Sequence, residues 1–463
     1  MKFKRLSMVR VCFLTLLFLM LGSLALNPGA ASVEAAPRPT REGRPTRPPR
    51  STPTPAASPT IPADPTPTPF ATATPPPTAT PGDGSGHPGN WNIVGSPNVN
   101  GRNNALNTIT AVSPQDLWAV GEHRSSNGSS VQTLTMRWNG ASWNIVSSPN
   151  PDPGRNSLLG VDAVSTNDVW AVGVQAGTTG PNWASLILHW DGNTWSNVAA
   201  PDLGSPGTSE LRDVAALSSS DVWAVGNASS PATGWWDQPL AFHWDGSNWS
   251  SVPVPAFGTT SQLNAVTAVA PNDVWAVGTT LDSNWKTLVL HWDGSSWTRV
   301  NSPNLGNVGN YLYDIEALSA NEIWAVGAAD NGGSTLAMRW NGASWSIVPT
   351  PNGTERPGVN RSSLTSLSAI SPNNVWAVGI QASSTIGSAG QPIYMGYALI
   401  HHWNGSTWSE VSSAELPSAT AEDGALNGVV ATGTNDVWAV GSYYEATFSV
   451  QAVRTLIERY TAP

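Results

Sequence analysis

From residue 90 onward, apolar and polar residues alternate in short runs that are separated by turn-forming residues. The first group holds four such runs, and each has the two-residue period of a half-buried β-strand. A polar turn, Ser113-Pro114-Gln115-Asp116, separates the first two runs, and Asn139-Gly140 begins the turn between the last two. Asn-Gly between apolar runs is a strong hairpin signal because these residues tolerate a positive φ. We therefore predict strands A to D at residues 106–112, 117–121, 134–138 and 143–146.

This group of four strands repeats along the rest of the chain. A [Val/Ile/Leu]-Trp-Ala-Val-Gly string in strand B recurs on average about every 53 residues. A [His/Arg]-Trp-[Asp/Asn]-Gly-x-[Ser/Thr]-Trp string, with small variations, follows most copies about 20 residues later. A period near 50 residues, with four strands and no helical signal, is typical of propeller blades. The strand B Trp residues stand at 118, 170, 223, 275, 324, 376 and 438, and they define repeats 1 to 7.

The two ends of the repeated region complement each other. Repeat 7 has strands B and C but reaches Pro463 without a strand D. Residues 90–97 (Asn-Trp-Asn-Ile-Val-Gly-Ser-Pro) match residues 142–149 (Ser-Trp-Asn-Ile-Val-Ser-Ser-Pro), which contain strand D of repeat 1. We therefore predict an all-β fold at residues 89–463, a seven-bladed β-propeller of four-stranded blades whose ring is closed by the N-terminal strand. Such closure pairs two strand edges that would otherwise be exposed.

These features resemble known propeller families. The ring closure and four-stranded blades resemble WD-repeat and kelch propellers, and the Trp-Asp-Gly-x-x-Trp turn resembles a shortened Asp-box. The chain is most similar to the exported, Trp-rich propeller repeats of uncharacterised bacterial proteins. The kelch double glycine is absent, and the Asp-to-Trp distance is one residue shorter than in an Asp-box. The resemblance therefore implies a fold, and it supplies no catalytic residues.

The residues before the repeats have a different composition. Basic residues between Lys2 and Arg10 precede a largely apolar run at 11–26, and Val33-Glu34-Ala35 offers a cleavage site. These features predict a signal peptide at residues 1–35, and the alternative is an uncleaved membrane anchor. Residues 36–88 are dominated by Pro and Thr and predict a disordered linker, because they hold too few apolar side chains for a core. We therefore expect a secreted or extracellular protein, tethered at the cell surface if the signal segment is retained.

The net charge limits the classes of binding partner, and the cysteine content bears on how the fold is stabilised. Residues 89–463 carry 12 Lys and Arg against 27 Asp and Glu, a net charge near −15. Such a surface repels phosphate backbones, so we expect no nucleic-acid partner. The only cysteine, Cys12, lies in the predicted signal peptide. Stability outside the cell is therefore expected to come from packing rather than from disulfides.

Residues that recur in every repeat are expected to build the fold. Strands B, C and D account for 20 of the 24 Trp residues. The residue before the strand C aromatic is His or Arg, and Arg has no lone pair for a metal. Two residues before the strand B Trp stands Asp, Glu or Asn, which indicates a turn cap or a hydrogen bond between blades, with the His/Arg series as a partner. We therefore predict no metal site and no cofactor.

The four remaining Trp residues all fall in the predicted connections between strands B and C. These connections and those from strand D to the next strand A share one face, which we call the variable face because both differ between repeats. Aromatic rings among Asn, Asp and Gln suit stacking on sugars, with hydroxyls hydrogen-bonded alongside. The alternative is that the rings pack over neighbouring loops. Tyr394 and Tyr397 are predicted in the longest of these connections, that of repeat 6. The candidate ligand-binding residues are therefore Trp183, Trp235, Trp236, Trp285, Tyr394 and Tyr397.

Carboxylates of predicted strand A are the candidates for chemistry at a central channel. Asp162, Asp213, Asp314 and Glu316 are matched by neutral residues in other repeats, so the fold does not require their charge. No catalytic motif accompanies them, and we identify no catalytic residue. We expect a recognition module that binds a polysaccharide or another cell-surface polymer on the variable face. The alternatives are a secreted polysaccharide hydrolase or lyase that uses the strand A acids, and a protein–protein interaction platform.

Overall fold

The computed structural model is built from antiparallel β-strands and two short 3-10 helices, Pro231–Thr233 and Asp330–Gly332. It describes residues 89–99, 103–125, 128–177, 183–204, 207–234, 237–354, 359–386, 392–416, 421–446 and 451–462. All of these residues belong to the unit Gly82–Pro463. The predicted signal peptide and linker lie outside the described residues.

The described residues contain 28 strands, four to each repeat when β1 is counted with repeat 7. They are β1 (Asn90–Ile93), β2 (Asn104–Ser113), β3 (Asp116–Arg124), β4 (Val131–Trp138), β5 (Trp143–Val146), β6 (Arg155–Ser165), β7 (Asp168–Ala176), β8 (Trp183–Trp190), β9 (Trp195–Asn197), β10 (Thr208–Ser218), β11 (Asp221–Ser229), β12 (Gln238–Trp244), β13 (Trp249–Val252), β14 (Thr260–Ala270), β15 (Asp273–Leu281), β16 (Trp285–Trp292), β17 (Trp297–Arg299), β18 (Tyr311–Ser319), β19 (Glu322–Ala329), β20 (Ser334–Trp340), β21 (Trp345–Ile347), β22 (Val359–Ser371), β23 (Asn374–Ile386), β24 (Pro392–Trp403), β25 (Trp408–Glu410), β26 (Ala421–Gly433), β27 (Asp436–Ala446) and β28 (Gln451–Thr461).

Repeat 1 illustrates how the sequence pattern produces a sheet. Its strands β2 to β5 follow the predicted order A to D, and Trp118 of β3 pairs with Thr110 of β2 and with Arg137 of β4. In the last hairpin Gly140 has a φ of 91°, and the Asn139 side chain accepts two backbone N–H groups of the turn. Asp supplies the same acceptor in other repeats, which explains the interchange of Asn and Asp at this position.

The sheets follow one another through their first strands. β10–β13, β14–β17, β18–β21 and β22–β25 each form a four-stranded sheet. β2–β5 and β6–β9 do the same, and one parallel pair between Val131 and Arg155 joins them. The first strand of each repeat packs against the first strand of the next, and β26 packs against β2. Successive four-stranded sheets that pack in this way have the architecture of a β-propeller.

The N-terminal strand belongs to the sheet of repeat 7. β1 pairs with β28, which pairs with β27 and then β26. Trp91 lies opposite Tyr460, as Trp143 lies opposite Trp138 in repeat 1. The first described strand of the chain is therefore the outer strand of the last sheet.

Three aromatic rings meet at each junction between consecutive repeats. Trp118 of repeat 1 is fully buried, and its ring centroid lies 4.9 Å from that of Trp190 and 5.2 Å from that of Trp195 in repeat 2. Burial of one Trp removes roughly 200 Å² from water, worth about 5 kcal/mol before entropy is counted. The recurrent Trp residues therefore hold neighbouring sheets together. The other clusters are Trp170–Trp244–Trp249, Trp223–Trp292–Trp297, Trp275–Trp340–Trp345, Trp324–Trp403–Trp408, Trp376–Tyr460–Trp91 and Trp438–Trp138–Trp143.

A polar pair covers the strand B Trp of each repeat. The Arg137 guanidinium lies 5.1 Å from the Trp118 centroid, and its Nε donates to Asp116 Oδ1 at 2.7 Å. In repeat 6, His402 Nε2 lies 2.8 Å from the Oδ1 atom of Asn374, so this position needs an acceptor and not a charge. The hydrogen bond predicted to the His/Arg series is present, but it forms within each repeat and not between neighbouring repeats. The other pairs are His189–Asp168, His243–Asp221, His291–Asp273, Arg339–Glu322 and Arg459–Asp436.

Candidate ligand-binding face

The variable face is the end of the sheets from which the connections between second and third strands leave. Because neighbouring strands are antiparallel, the connections from each fourth strand to the next first strand leave from the same end. The short turns lie at the opposite end. Asn90 of β1 pairs with Thr461 at that short-turn end, so the chain enters the folded unit away from the variable face.

Trp183 is the first residue of β8 and not a loop residue. It pairs with Ala176 because the ladder between β7 and β8 continues beyond the apolar run of the sequence. The Arg155 guanidinium lies 5.8 Å from the Trp183 ring centroid, and Arg155 Nη2 donates to Glu122 Oε2 at 2.8 Å. Trp183 is therefore half-buried against an ion pair.

Trp285 likewise begins a strand, β16, where it pairs with Leu281. Its ring centroid lies 6.1 Å from that of Tyr311, and its carbonyl accepts the Asn310 N–H at 3.0 Å. The Trp285 side chain is half-buried, so part of its surface stays open at the variable face.

The other candidate aromatic residues are distributed along repeats 3 and 6. Tyr397 lies in β24 opposite Gln381 and is half-buried, and Tyr394 lies in the same strand. Both are strand residues, which corrects their assignment to a loop. Trp235 and Trp236 lie outside the described residues. Among the described residues, no ring contact joins Trp183 to Trp285, so these two do not form a single aromatic cluster.

Two tyrosines of β18 extend the aromatic surface at Trp285, and sequence reasoning missed them. The Tyr311 and Tyr313 rings are stacked, with centroids 6.3 Å apart and an interplanar angle of 4°. The Tyr313 hydroxyl is buried and has no hydrogen-bond partner among the described residues. At the corresponding position in repeats 1 and 4, Asn107 and Asn264 donate to a backbone carbonyl of the next repeat. Tyr313 thus departs from a recurring contact, and comparing first strands across repeats could have identified it.

A polar network adjoins this aromatic surface. Arg212 occupies the Tyr313 position in repeat 3, and its charge acts on the Tyr313 hydroxyl. Arg212 forms an ion pair with Glu210, and Gln262 Nε2 donates to Asp237 Oδ2 at 2.7 Å. Burial raises the pKa of Asp237, while the Gln262 hydrogen bond and the Arg212 charge oppose the shift. The network therefore presents fixed donors and acceptors near the variable face.

The four candidate channel acids form hydrogen bonds between repeats. Asp162 Oδ2 accepts the backbone N–H of Ala216 in the next repeat at 2.8 Å. In repeat 6 a serine hydroxyl, that of Ser368, accepts the corresponding N–H of Ala431 at 3.1 Å. A carboxylate here therefore shares a structural role with a hydroxyl. The remaining contacts run from the N–H of Val266 to Asp213, of Leu367 to Asp314 and of Ala369 to Glu316.

The same acids have displaced pKa values. Burial raises the pKa of Asp314 to about 6 and that of Glu316 to about 8. Burial also raises the pKa of Asp162, and it raises the pKa of Asp213 further, with the charge of Asp314 as the next cause. These side chains keep a partly exposed surface although protein surrounds them closely. Three first strands, β6, β10 and β18, thus bring these four acids within electrostatic range of one another.

Within the described ranges, no three or more His, Cys, Asp or Glu side chains are grouped so that they could hold a metal ion. No helix in that part of the chain is long and apolar enough to cross a membrane.

Comparison with known proteins gives distant structural likenesses. No family model and no curated protein matches the chain. YCF48 bound to a D1 peptide is 14% identical at a TM-score of 0.46, over 81% of this chain and 96% of that one. YCF48 from Cyanidioschyzon merolae is 14% identical at a TM-score of 0.44, over 80% and 98% of the two chains. The six-bladed fucose-recognising lectin of Aleuria aurantia is 14% identical at a TM-score of 0.40, over 68% and 97%.

Proposed function

We propose that the protein is an extracellular recognition module that binds a glycan or another cell-surface polymer on the variable face. The observation that carries the proposal is the half-buried aromatic series Trp285, Tyr311 and Tyr313, which no other repeat reproduces. Flat rings with one open side suit stacking against the apolar face of a sugar. The neighbouring Arg212 and Asp237 network supplies the donors and acceptors that sugar hydroxyls require.

The scaffold that we propose for this face is a seven-bladed ring closed by β1. Two contacts between repeats 7 and 1 support closure: Trp438 packs against Trp138, and Asn427 Nδ2 donates to the Leu106 carbonyl at 2.8 Å. The segment after β1 also behaves as an outer-strand segment. Asn98 accepts the Thr455 N–H at 3.0 Å, matching the bond from the Thr133 N–H to Asn150 at 2.7 Å.

The point of chain entry supports a display role. The signal peptide and the Pro/Thr-rich linker proposed for residues 1–88 would join the folded unit at its short-turn end, beside Asn90. These two segments supply the export signal and the spacer that display outside the cell requires. We propose on this basis that the protein is secreted or held at the cell surface.

Binding of the purified protein to a panel of immobilised polysaccharides and glycans tests the proposal. We expect Trp285→Ala and Tyr311→Ala to weaken binding by about tenfold or more, as loss of a central aromatic contact does. Asn193→Ala, an exposed change in a short turn of repeat 2, is the matched control and should bind as the parent does. Equal binding by all variants, or no binding to any glycan, would contradict the proposal.

The alternative is a polysaccharide hydrolase or lyase, and the pKa values of the first-strand acids favour it. A Glu316 carboxyl with a pKa near 8 is mostly protonated at neutral pH, as a general acid must be. Against it stands the hydrogen bond that Glu316 accepts from the Ala369 N–H. Release of reducing ends from a bound polysaccharide, abolished by Asp314→Asn or Glu316→Gln, would establish the alternative.

A protein partner is the other candidate, and exposed apolar side chains on the variable face favour it. Leu203, Leu305 and Val308, in connections between fourth and first strands, are 44%, 37% and 45% exposed. Apolar side chains exposed in this way suit a protein surface. A parent protein that binds no glycan but captures a protein, with that capture lost in Leu305→Ser, would favour a protein–protein interaction platform.

A further inference from the structure

Two arginines occupy the same position in different repeats and have different surroundings. Arg155 and Arg361 each stand three residues before a fully buried leucine of a first strand, in repeats 2 and 6. Arg155 is neutralised, because Glu122 at the end of β3 in the preceding repeat forms an ion pair with it at 2.8 Å. Its side chain is 17% exposed. Arg155 therefore has a structural role.

Arg361 lacks the acid that neutralises Arg155. The position of Glu122 is taken in repeat 5 by Ala328, which has no side-chain acceptor. The strand partner of Ala328 is Tyr311, whereas Glu122 has the small Ala105 as its partner. Arg361 is exposed and forms no ion pair with any described residue. The pair Glu122 and Ala105 of repeat 1 thus corresponds to the pair Ala328 and Tyr311 of repeat 5.

The strand that carries Arg361 adjoins the aromatic surface of repeat 5, because β18 packs against β22. Burial raises the pKa of the Tyr311 and Tyr313 hydroxyls, and the positive charge of Arg361 opposes that shift in both. The guanidinium therefore lies within electrostatic range of the two rings. The buried Tyr313 hydroxyl has no partner among the described residues, so the two tyrosines offer a ligand their ring surface and not this hydroxyl.

We propose that Arg361, Tyr311, Tyr313 and Trp285 form a subsite for an acidic saccharide, with the carboxylate or sulfate of the sugar at Arg361. This assignment rests on the proposed function and gives its ligand a charge. A guanidinium presents parallel N–H donors that match the oxygens of such an anion. The stacked rings receive the face of the same sugar. One anionic sugar unit thus satisfies the cation and the open ring faces together.

The test compares three polymers with the purified parent protein: polygalacturonate, dextran sulfate and neutral dextran. We expect at least one acidic polymer to bind at least about tenfold more tightly than dextran at about 0.15 M salt, where a Debye length of about 8 Å screens the net negative charge of residues 89–463 but not a direct contact with Arg361. The acidic polymer that binds more tightly identifies the anionic group. Arg361→Gln should weaken acidic binding by about tenfold or more and remove the preference over dextran. Arg155→Gln, the matched change at the neutralised arginine, should retain binding.

Two further variants keep the test independent of folding. Ala328→Glu installs next to Arg361 the acid that Glu122 supplies to Arg155, and it should remove acidic binding without removing the arginine. Tyr313→Phe should leave binding and thermal stability intact, because the buried hydroxyl has no partner to lose and lies out of reach of a ligand. Arg361→Gln that binds acidic polymers as the parent does would overturn the subsite. If Trp285→Ala still lost binding, the proposed function would remain supported. A parent protein that binds no polysaccharide would contradict both proposals.

Discussion

Replacing His401 by Met should stabilise the protein, and should do so more strongly in acid. His401 is fully buried in β24, and neither ring nitrogen has a hydrogen-bond partner among the described residues. Met136 and Met338 hold the corresponding position in repeats 1 and 5, so the core already accommodates Met there. Burial lowers the pKa of His401 to about 3 from an ordinary value of 6.5. The folded protein therefore keeps this imidazole neutral.

The sign and size of the effect follow from proton linkage. Between pH 6.5 and pH 3 the unfolded chain binds a proton at His401 that the folded protein does not bind. Stability therefore falls as the pH falls through this window. At about pH 5 the loss amounts to about 2 kcal/mol relative to about pH 7.5, from 1.36 kcal/mol for each unit below the unfolded pKa. His401→Met removes this loss and also the unsatisfied nitrogens, which act at every pH.

Urea unfolding of the parent and of His401→Met at about pH 7.5 and about pH 5 measures the effect. The variant should be more stable at both values, and its advantage should grow by about 2 kcal/mol at the lower one. Other titrating groups, such as the first-strand acids, are common to both proteins and cancel in the difference. An advantage that is the same at both pH values would show that His401 is protonated normally in the folded protein, and the reasoning from burial would be wrong.

Three further predictions concern the scaffold and the acids. Trp223→Ala, at a repeat junction, should lower the free energy of unfolding by about 3–5 kcal/mol in denaturant melts, whereas Trp285→Ala should lower it by about 1–2 kcal/mol. Equal losses would place Trp285 in the core. Asn98→Ala and Asn150→Ala should each lower stability by about 1–3 kcal/mol, since each leaves a buried N–H unpaired. If Asn98→Ala left stability unchanged, this would argue against β1 as the outer strand of the repeat 7 sheet. The folded protein holds a proton on Glu316 up to about pH 8, so the contribution of Glu316 to stability should fall as the pH rises from about 5 to 8. Glu316→Gln should lose less stability than the parent over this range, and identical pH profiles would refute this.

The four-stranded sheets could be predicted from the sequence because the same short strings recur in each of the seven repeats. Recurrence of the string around Trp118 locates the second strands, and Asn139-Gly140 locates a hairpin. The lengths of the strands could not be predicted in this way. Pairing of Trp183 with Ala176 and of Trp285 with Leu281 extends the ladders into segments that lack an apolar alternation. Ladder extension depends on backbone pairing, which leaves no periodic signal in a polar segment.

The candidate site was predicted only in part. Trp285 was selected because it interrupts the repeat, but Tyr311 and Tyr313 were overlooked because they lie within a strand that otherwise repeats. Among the described residues Arg361 has no ion-pair partner, and this depends on Ala328, which belongs to another strand of another repeat. Such differences become visible only when the residues are aligned by register. The hydrogen bond from the Ala369 N–H to Glu316 also joins two repeats, so the sequence pattern of a single repeat does not indicate it.

Hydrogen–deuterium exchange of the protein with and without its bound polysaccharide tests the central claim, that the variable face is the binding surface. The connection at residues 304–310, which lies beside Trp285 and Tyr311, should exchange more slowly when the polysaccharide is bound. The short turn at residues 191–194 lies at the opposite end of its sheet and should exchange at the same rate in both states. Protection of the short turns, with residues 304–310 unchanged, would place the ligand on the other end of the sheets and contradict the account.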